Sequence, residues 1–130
     1  MKRILILFFL LFNLLSIATA QNRIDQAVER FSTTGRCKFT SVVERNPADN
    51  RVERVVKVLE IDEPSANRLR QTFLAEAKQH TYKGFFEKGV ETTTFTIEQP
   101  TQNRIYMLQC PHESNYIRNA KVTIIVKYKH

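Results

Sequence analysis

Cys110, Pro111, His112 and Glu113 set a thiol, an imidazole and a carboxyl group within four positions. Those side chains ligate zinc, or form a Cys–His nucleophile pair. Either chemistry needs further groups, and nothing else in the chain stands at a diagnostic spacing. The other two histidines, His80 and His130, could join only if folding brought them near. The plainer reading of these four residues is a strand end followed by a polar loop.

Other chemical signatures are missing. The chain has no paired histidines at zinc-protease spacing, no Cys-x-x-Cys, no phosphate-cradling glycine loop and no serine between glycines. No cofactor is implied. The residues left for recognition are aromatic and basic. Tyr82, Phe85 and Phe86 lie among Gly84 and Gly89. If that segment projects, the rings offer a surface for a protein or glycan; if it tucks under helices, they are core. Lys121, Lys127 and Lys129 alternate with apolar residues near the C-terminus and line the opposite, solvent-facing side.

Charge and targeting narrow the class. Lys2 and Arg3 precede an apolar run over residues 4–15, and Ala18, Thr19 and Ala20 supply small residues before a cleavage point. This pattern predicts a signal peptide over residues 1–20 cut after Ala20, and a periplasmic or secreted chain. About a dozen apolar residues are too few for a membrane span, which needs roughly 20. Removing Lys2 and Arg3 leaves 18 basic residues against 13 acidic ones, a formal charge of +5. The basic residues are scattered among acids rather than gathered on one strip, which argues against a nucleic-acid partner. Cys37 and Cys110 both follow the leader. In an oxidising compartment they could form a disulfide closing a loop of roughly 73 residues, worth roughly 4 kcal/mol. The alternative is a pair of buried thiols.

The elements that would position these residues follow from periodicity. Ile24, Ala27, Val28 and Phe31 predict a helix over residues 23–34, capped by Asn22 and ended by Gly35. Residues 37–44 alternate as a strand, and 46–50 (Asn-Pro-Ala-Asp-Asn) are turn chemistry that returns the chain as a second strand over 51–61. The adjacent apolar pairs Val55-Val56 and Val58-Leu59 mean either that both faces of that strand are partly covered or that a bulge shifts the register midway, and a bulge or twist is the favoured reading. A second helix begins near Asp62 or Ser65 and runs to about His80, with Ala66, Leu69, Phe73 and Ala77 buried and Arg68, Arg70, Lys78 and Gln79 toward water. Residues 81–91 read as a loop or the irregular beginning of a strand, followed by strands over 92–98, 104–110 and 121–129, with 111–119 polar and turn-like. The expected fold is a single α+β domain over residues 21–130. It is a two-layer sandwich of about five antiparallel strands with two helices on one face, in the order αββαβββ.

Arg23-Ile-Asp25, Val42-Val-Glu-Arg-Asn-Pro47 and Val55-Val-Lys-Val58, behind a signal-like leader, resemble the small exported bacterial families of unknown function. The likeness covers most of the chain after the leader. Such families carry no assigned catalytic residues, so the resemblance implies an envelope location and no enzymology. The expected function is therefore non-enzymatic binding of another envelope protein as inhibitor, regulator or accessory. The alternative is a module for an anionic or carbohydrate envelope ligand, and a metal-dependent enzyme built on His112 and Glu113 comes third.

Overall fold

A computed structural model describes residues 22–33, 37–113 and 116–130. The chain runs α1 (Arg23–Ser32), β1 (Cys37–Arg45), β2 (Val52–Asp62), α2 (Ser65–Ala77), β3 (Tyr82–Glu87), β4 (Val90–Glu98), β5 (Gln102–Glu113), β6 (Tyr116–Ile117) and β7 (Asn119–Tyr128). The fold is α+β, as the patterning predicts. The described strands number seven rather than five, and the order is αββαβββββ. The added strands are β3, in the segment expected as a loop or the irregular beginning of a strand, and the two-residue β6 within the segment expected to be turn-like. The leader over residues 1–20 and the helix-ending Gly35 lie outside the described residues. Among the described residues no helix is long and apolar enough to cross a membrane.

Local chemistry explains the boundaries. Asn22 Oδ1 accepts from Asp25 N at 2.9 Å and Asp25 Oδ2 accepts from Asn22 N at 3.2 Å. This capping box satisfies two of the donors a helix start leaves over. The second helix begins differently. Pro64 occupies its N-cap with no side-chain cap bond, and Ser65 is already inside the first turn, so the helix begins at Ser65 rather than Asp62. Asn46 Oδ1 accepts from Ala48 N at 2.8 Å, and Asp49 Oδ1 from Arg51 N at 3.0 Å, which closes the β1–β2 hairpin. Between β3 and β4 the turn is Lys88-Gly89, with φ of 52° and 78°. Gly89 there adopts a left-handed conformation open to glycine at little cost.

All main strand pairs are antiparallel, in the spatial order β1-β2-β7-β5-β4-β3, with β6 paired to β5. The predicted mid-strand bulge in β2 does not occur. Pairing runs unbroken from Cys37 opposite Ile61 to Glu44 opposite Arg54, and the register shifts only between Glu44 and Arg45. The adjacent apolar pairs instead divide between the two faces. Leu59 and Ile61 turn toward the helices and are buried, while Val56 and Val58 stand on the other side, half-buried. Opposite Val56 on β7 is Ile125, and opposite Ile125 on β5 is Ile105. The open face is therefore less polar than lysine–threonine alternation alone implies.

The core lies between the sheet and the two helices. Ile24 and Val28 from α1 and Leu69 and Phe73 from α2 meet Leu59, Val122, Ile124, Tyr106, Leu108 and Phe95. Phe73 sets its edge on the Phe95 ring at 5.5 Å, and Phe95 stacks on Tyr106 at 5.0 Å. No disulfide joins the cysteines. Cys37 is on edge strand β1 and Cys110 on β5, with β2 and β7 between them. At strand spacing that is roughly 14 Å along the sheet, against an upper limit of about 7 Å for a bridge. The Cys37 thiol instead donates to Phe31 O at 3.1 Å. Cys110 is fully buried.

Phe73 has no exposed surface, so Phe73→Ala should cost about 3–5 kcal/mol in urea unfolding. A loss under about 1 kcal/mol would show that the helix–sheet seam does not depend on this ring.

Candidate functional site

Where α2 ends and β3 runs along the sheet edge, the two leave a cleft of about 550 Å³ between them. Register assembles its floor. Glu91 on β4 lies between Phe86 on β3 and Cys110 on β5. His112 follows two positions after Cys110, and its backbone N–H donates to Gly89 O at 2.8 Å. Arg70 reaches down from α2 and grips Glu91 with two parallel bonds, Nε to Oε2 and Nη2 to Oε1, both 3.0 Å. The paired planar groups make the strong two-pronged form of ion pair. On the Glu91 carboxylate, Oε2 also meets His112 Nε2 at 2.8 Å. Phe86 sets its ring against the His112 ring at 5.5 Å with a 72° tilt.

The electrostatics of the floor follow from these contacts. Burial pushes the Glu91 carboxyl up, but its bonds to Arg70 and His112 outweigh that and hold it below the ordinary glutamate range. Cys110 beneath it is pushed up to about 12, by burial first and by the Glu91 charge second, so it stays a thiol. A buried, protonated sulfur is a packing group and not a nucleophile. Lys78 lines the rim, so Arg70 and Lys78 set two positive charges in the cleft against one carboxylate.

A second polar cluster ties the other helix. Asp25 Oδ2 meets Arg104 Nη1 at 2.8 Å and accepts from the Tyr106 hydroxyl at 2.9 Å. Burial, and after it the Asp25 charge, hold the Tyr106 hydroxyl protonated far above its usual range. Asp25 lies off the apolar stripe of α1, yet it is buried. Bound at once to Asn22 N, Arg104 and Tyr106, Asp25 is a structural tie between its helix and the sheet.

The structure divides the residues singled out from the sequence. Tyr82, Phe85 and Phe86 all line the cleft, and Phe85 and Phe86 are 55% and 63% exposed, so these rings are surface and not core. Lys121 and Lys127 sit on β7, on the sheet face turned away from the helices, and Lys129 donates to Gln99 O at 3.0 Å. These lysines do not join the rings. The thiol–imidazole–carboxyl run also disperses: Cys110 is buried, His112 turns to Glu91, and Glu113 turns outward to Tyr116 and Arg118. Sequence reasoning missed Arg70 and Glu91. Arg70 had been assigned to water, although it falls four residues before Leu74, within the apolar stripe of α2. Glu91 falls in the segment that reads as a loop or the irregular beginning of a strand, although it shares the period-two phase of Phe95 and Ile97.

No family model matches this chain, and no curated protein matches it, which accords with its likeness to families of unknown function. Among solved structures, a candidate thioesterase of Lactococcus lactis is similar at 9% identity and a TM-score of 0.28, covering 84% of this chain and 100% of that one. So low a score bears on neither fold nor activity.

Because Glu91 is depressed in the folded protein, its contribution is complete above its unfolded value of 4.5 and fades as pH falls through its folded value. Glu91→Gln should therefore lower stability by about 1–2 kcal/mol at neutral pH and by progressively less below pH 4.5. Equal losses at pH 7 and pH 3 in urea titrations would refute the tie.

Proposed function

We propose that this chain is a non-enzymatic binding module of the cell envelope, whose cleft takes an organic anion that also presents a ring. One observation carries the reading: the exposed aromatic wall of β3 borders a cleft in which Arg70 and Lys78 outnumber the Glu91 carboxylate. Rings stack on the flat faces of sugars and aromatics, while Arg70 and Lys78 favour a carboxylate or other anion. The floor groups satisfy one another before any ligand arrives, so the site is largely pre-formed, as small-molecule sites usually are. The signal-like leader supports export, and with it an anionic envelope glycan or a related ring acid as ligand. Binding of another protein, the expectation from sequence, draws support from the exposure of Phe85 and Phe86, since aromatic side chains are enriched at interfaces.

The Glu91–His112 contact favours a second reading. A carboxylate on one ring nitrogen fixes the tautomer and leaves the other nitrogen to move a proton on a bound ligand. Hydrolysis of methyl glucuronate by the purified protein, abolished in His112→Ala, would favour that reading over simple binding.

For the binding reading, amide NMR titrations with glucuronate and benzoate are compared with glucose and benzyl alcohol. The two acids should move resonances of Gly84, Phe86, Glu91 and His112, and the neutral probes should bind more weakly. Phe86→Ala should weaken benzoate by roughly five- to tenfold. Lys78→Ala should weaken both acids and leave the neutral probes unchanged. Neutral and acidic probes binding alike, or shifts confined to β7, would refute the assignment.

A further inference from the structure

β1 is nine residues long and pairs with β2 along one edge; along the other, residues 38–45 belong to no further described strand pair. Edge strands of this length are ordinarily blunted by central charges, prolines or bulges. In β1 the register shift falls at its last step, Glu44 to Arg45, and the run Phe39-Thr-Ser-Val-Val43 is uncharged. Phe39 and Val43 on one face and Val42 on the other are 40%, 49% and 47% exposed. This edge offers open backbone groups flanked by apolar side chains on both faces.

We propose that β1 is a docking edge for the β1 of a second copy of this chain, antiparallel about a two-fold axis at Ser41. This is the register in which the seven residues Lys38 to Glu44 of both copies overlap in full. It sets Lys38 opposite the partner subunit's Glu44, and by symmetry Glu44 opposite the partner subunit's Lys38. Phe39 then faces the partner's Val43, and Thr40 faces the partner's Val42. Opposite-charge and aromatic–β-branched pairs directly across a ladder are stabilising ones. A two-residue slip, the smallest that keeps opposed side chains on one face, sets Lys38 against the partner's Asn46 in one direction and against the partner's Val42 in the other. Charge thus selects the register that full overlap also selects. Glu44 already accepts from Arg54 Nε at 2.9 Å and Nη2 at 2.6 Å, so the arriving lysine completes a three-charge ladder across the junction. The product is one continuous sheet in which both copies keep the cleft at the far edge, on β3, unobstructed. This dimer is independent of what the cleft binds.

The test uses sedimentation and light scattering on the purified protein. Wild type should form a reversible dimer. Lys38→Glu and Glu44→Lys should each weaken self-association by about tenfold or more, because each places like charges opposite one another twice. Mixed in equal amounts, the two variants should regain a wild-type-like dimer, since every opposed pair is then again of opposite charge. Circular dichroism of each variant alone checks that the fold is kept. A monomeric wild type, a dimer that neither variant weakens, or no recovery on mixing would each overturn the proposal. A dimer indifferent to both variants would place the contact elsewhere, for example on the half-apolar open face around Val56 and Ile125.

Discussion

Two helices of 10 and 13 residues have to cover a sheet whose main body is six strands wide. The helices are roughly 15 and 20 Å long, and six strands span about 24 Å. They cannot close both ends of the sheet at once. They gather over the middle, where Leu59, Val122, Ile124, Tyr106 and Phe95 are buried, and leave β1 and β3 uncovered. The site features of the molecule are consequences of that shortfall. At one edge it opens a cleft between α2 and β3; at the other it leaves β1 with both faces toward solvent from Lys38 onward.

Each helix is also fixed to the sheet by one acid–arginine pair, with the polarity reversed between them. The first helix lowers an acid, Asp25, onto Arg104 of β5, and the second lowers a base, Arg70, onto Glu91 of β4. Apolar packing is non-directional and would let a short helix slide or roll on its bed. Two-pronged and multi-bonded charged contacts set an orientation as well as an attraction. Asp25 has a further duty at its own helix start, so the capping of α1 and its docking depend on one carboxylate. The Arg70–Glu91 pair sits at the border of the covered region, where it is reachable from solvent. There a contact that orients the helix also becomes the charged floor of a cleft.

Much of the fold was legible because it rests on local periodicity. The helix stripes Ile24, Ala27, Val28, Phe31 and Ala66, Leu69, Phe73, Ala77 are all buried as their spacing predicts. The β1–β2 turn follows from Asn46, Pro47 and Asp49, whose side chains act on backbone a few residues away. The alternation of Val122, Ile124 and Val126 fixed which side of β7 is core. Where the reading failed, the deciding contact was distant. Nothing local marks 82–87 as a strand, because its pairing depends on β4 and its side chains are exposed on both faces.

The sequence by itself determined the helices, the hairpin, the two-layer class and the phase of nearly every strand, since these follow from neighbours within a turn or two. Even the cleft's members carried a trace: Arg70 in the phase of Leu74, Glu91 in that of Phe95, His112 in that of Cys110. Only the tertiary structure decided that those three meet, that the two cysteines stay apart, and that Tyr82, Phe85 and Phe86 face solvent. Each of these is a matter of strand order, in which β7 enters between β2 and β5. That order sets two strands between Cys37 and Cys110 and leaves β3 at the rim. Strand order is a global compromise among long-range pairings, and no stretch of chain a few residues long can encode it.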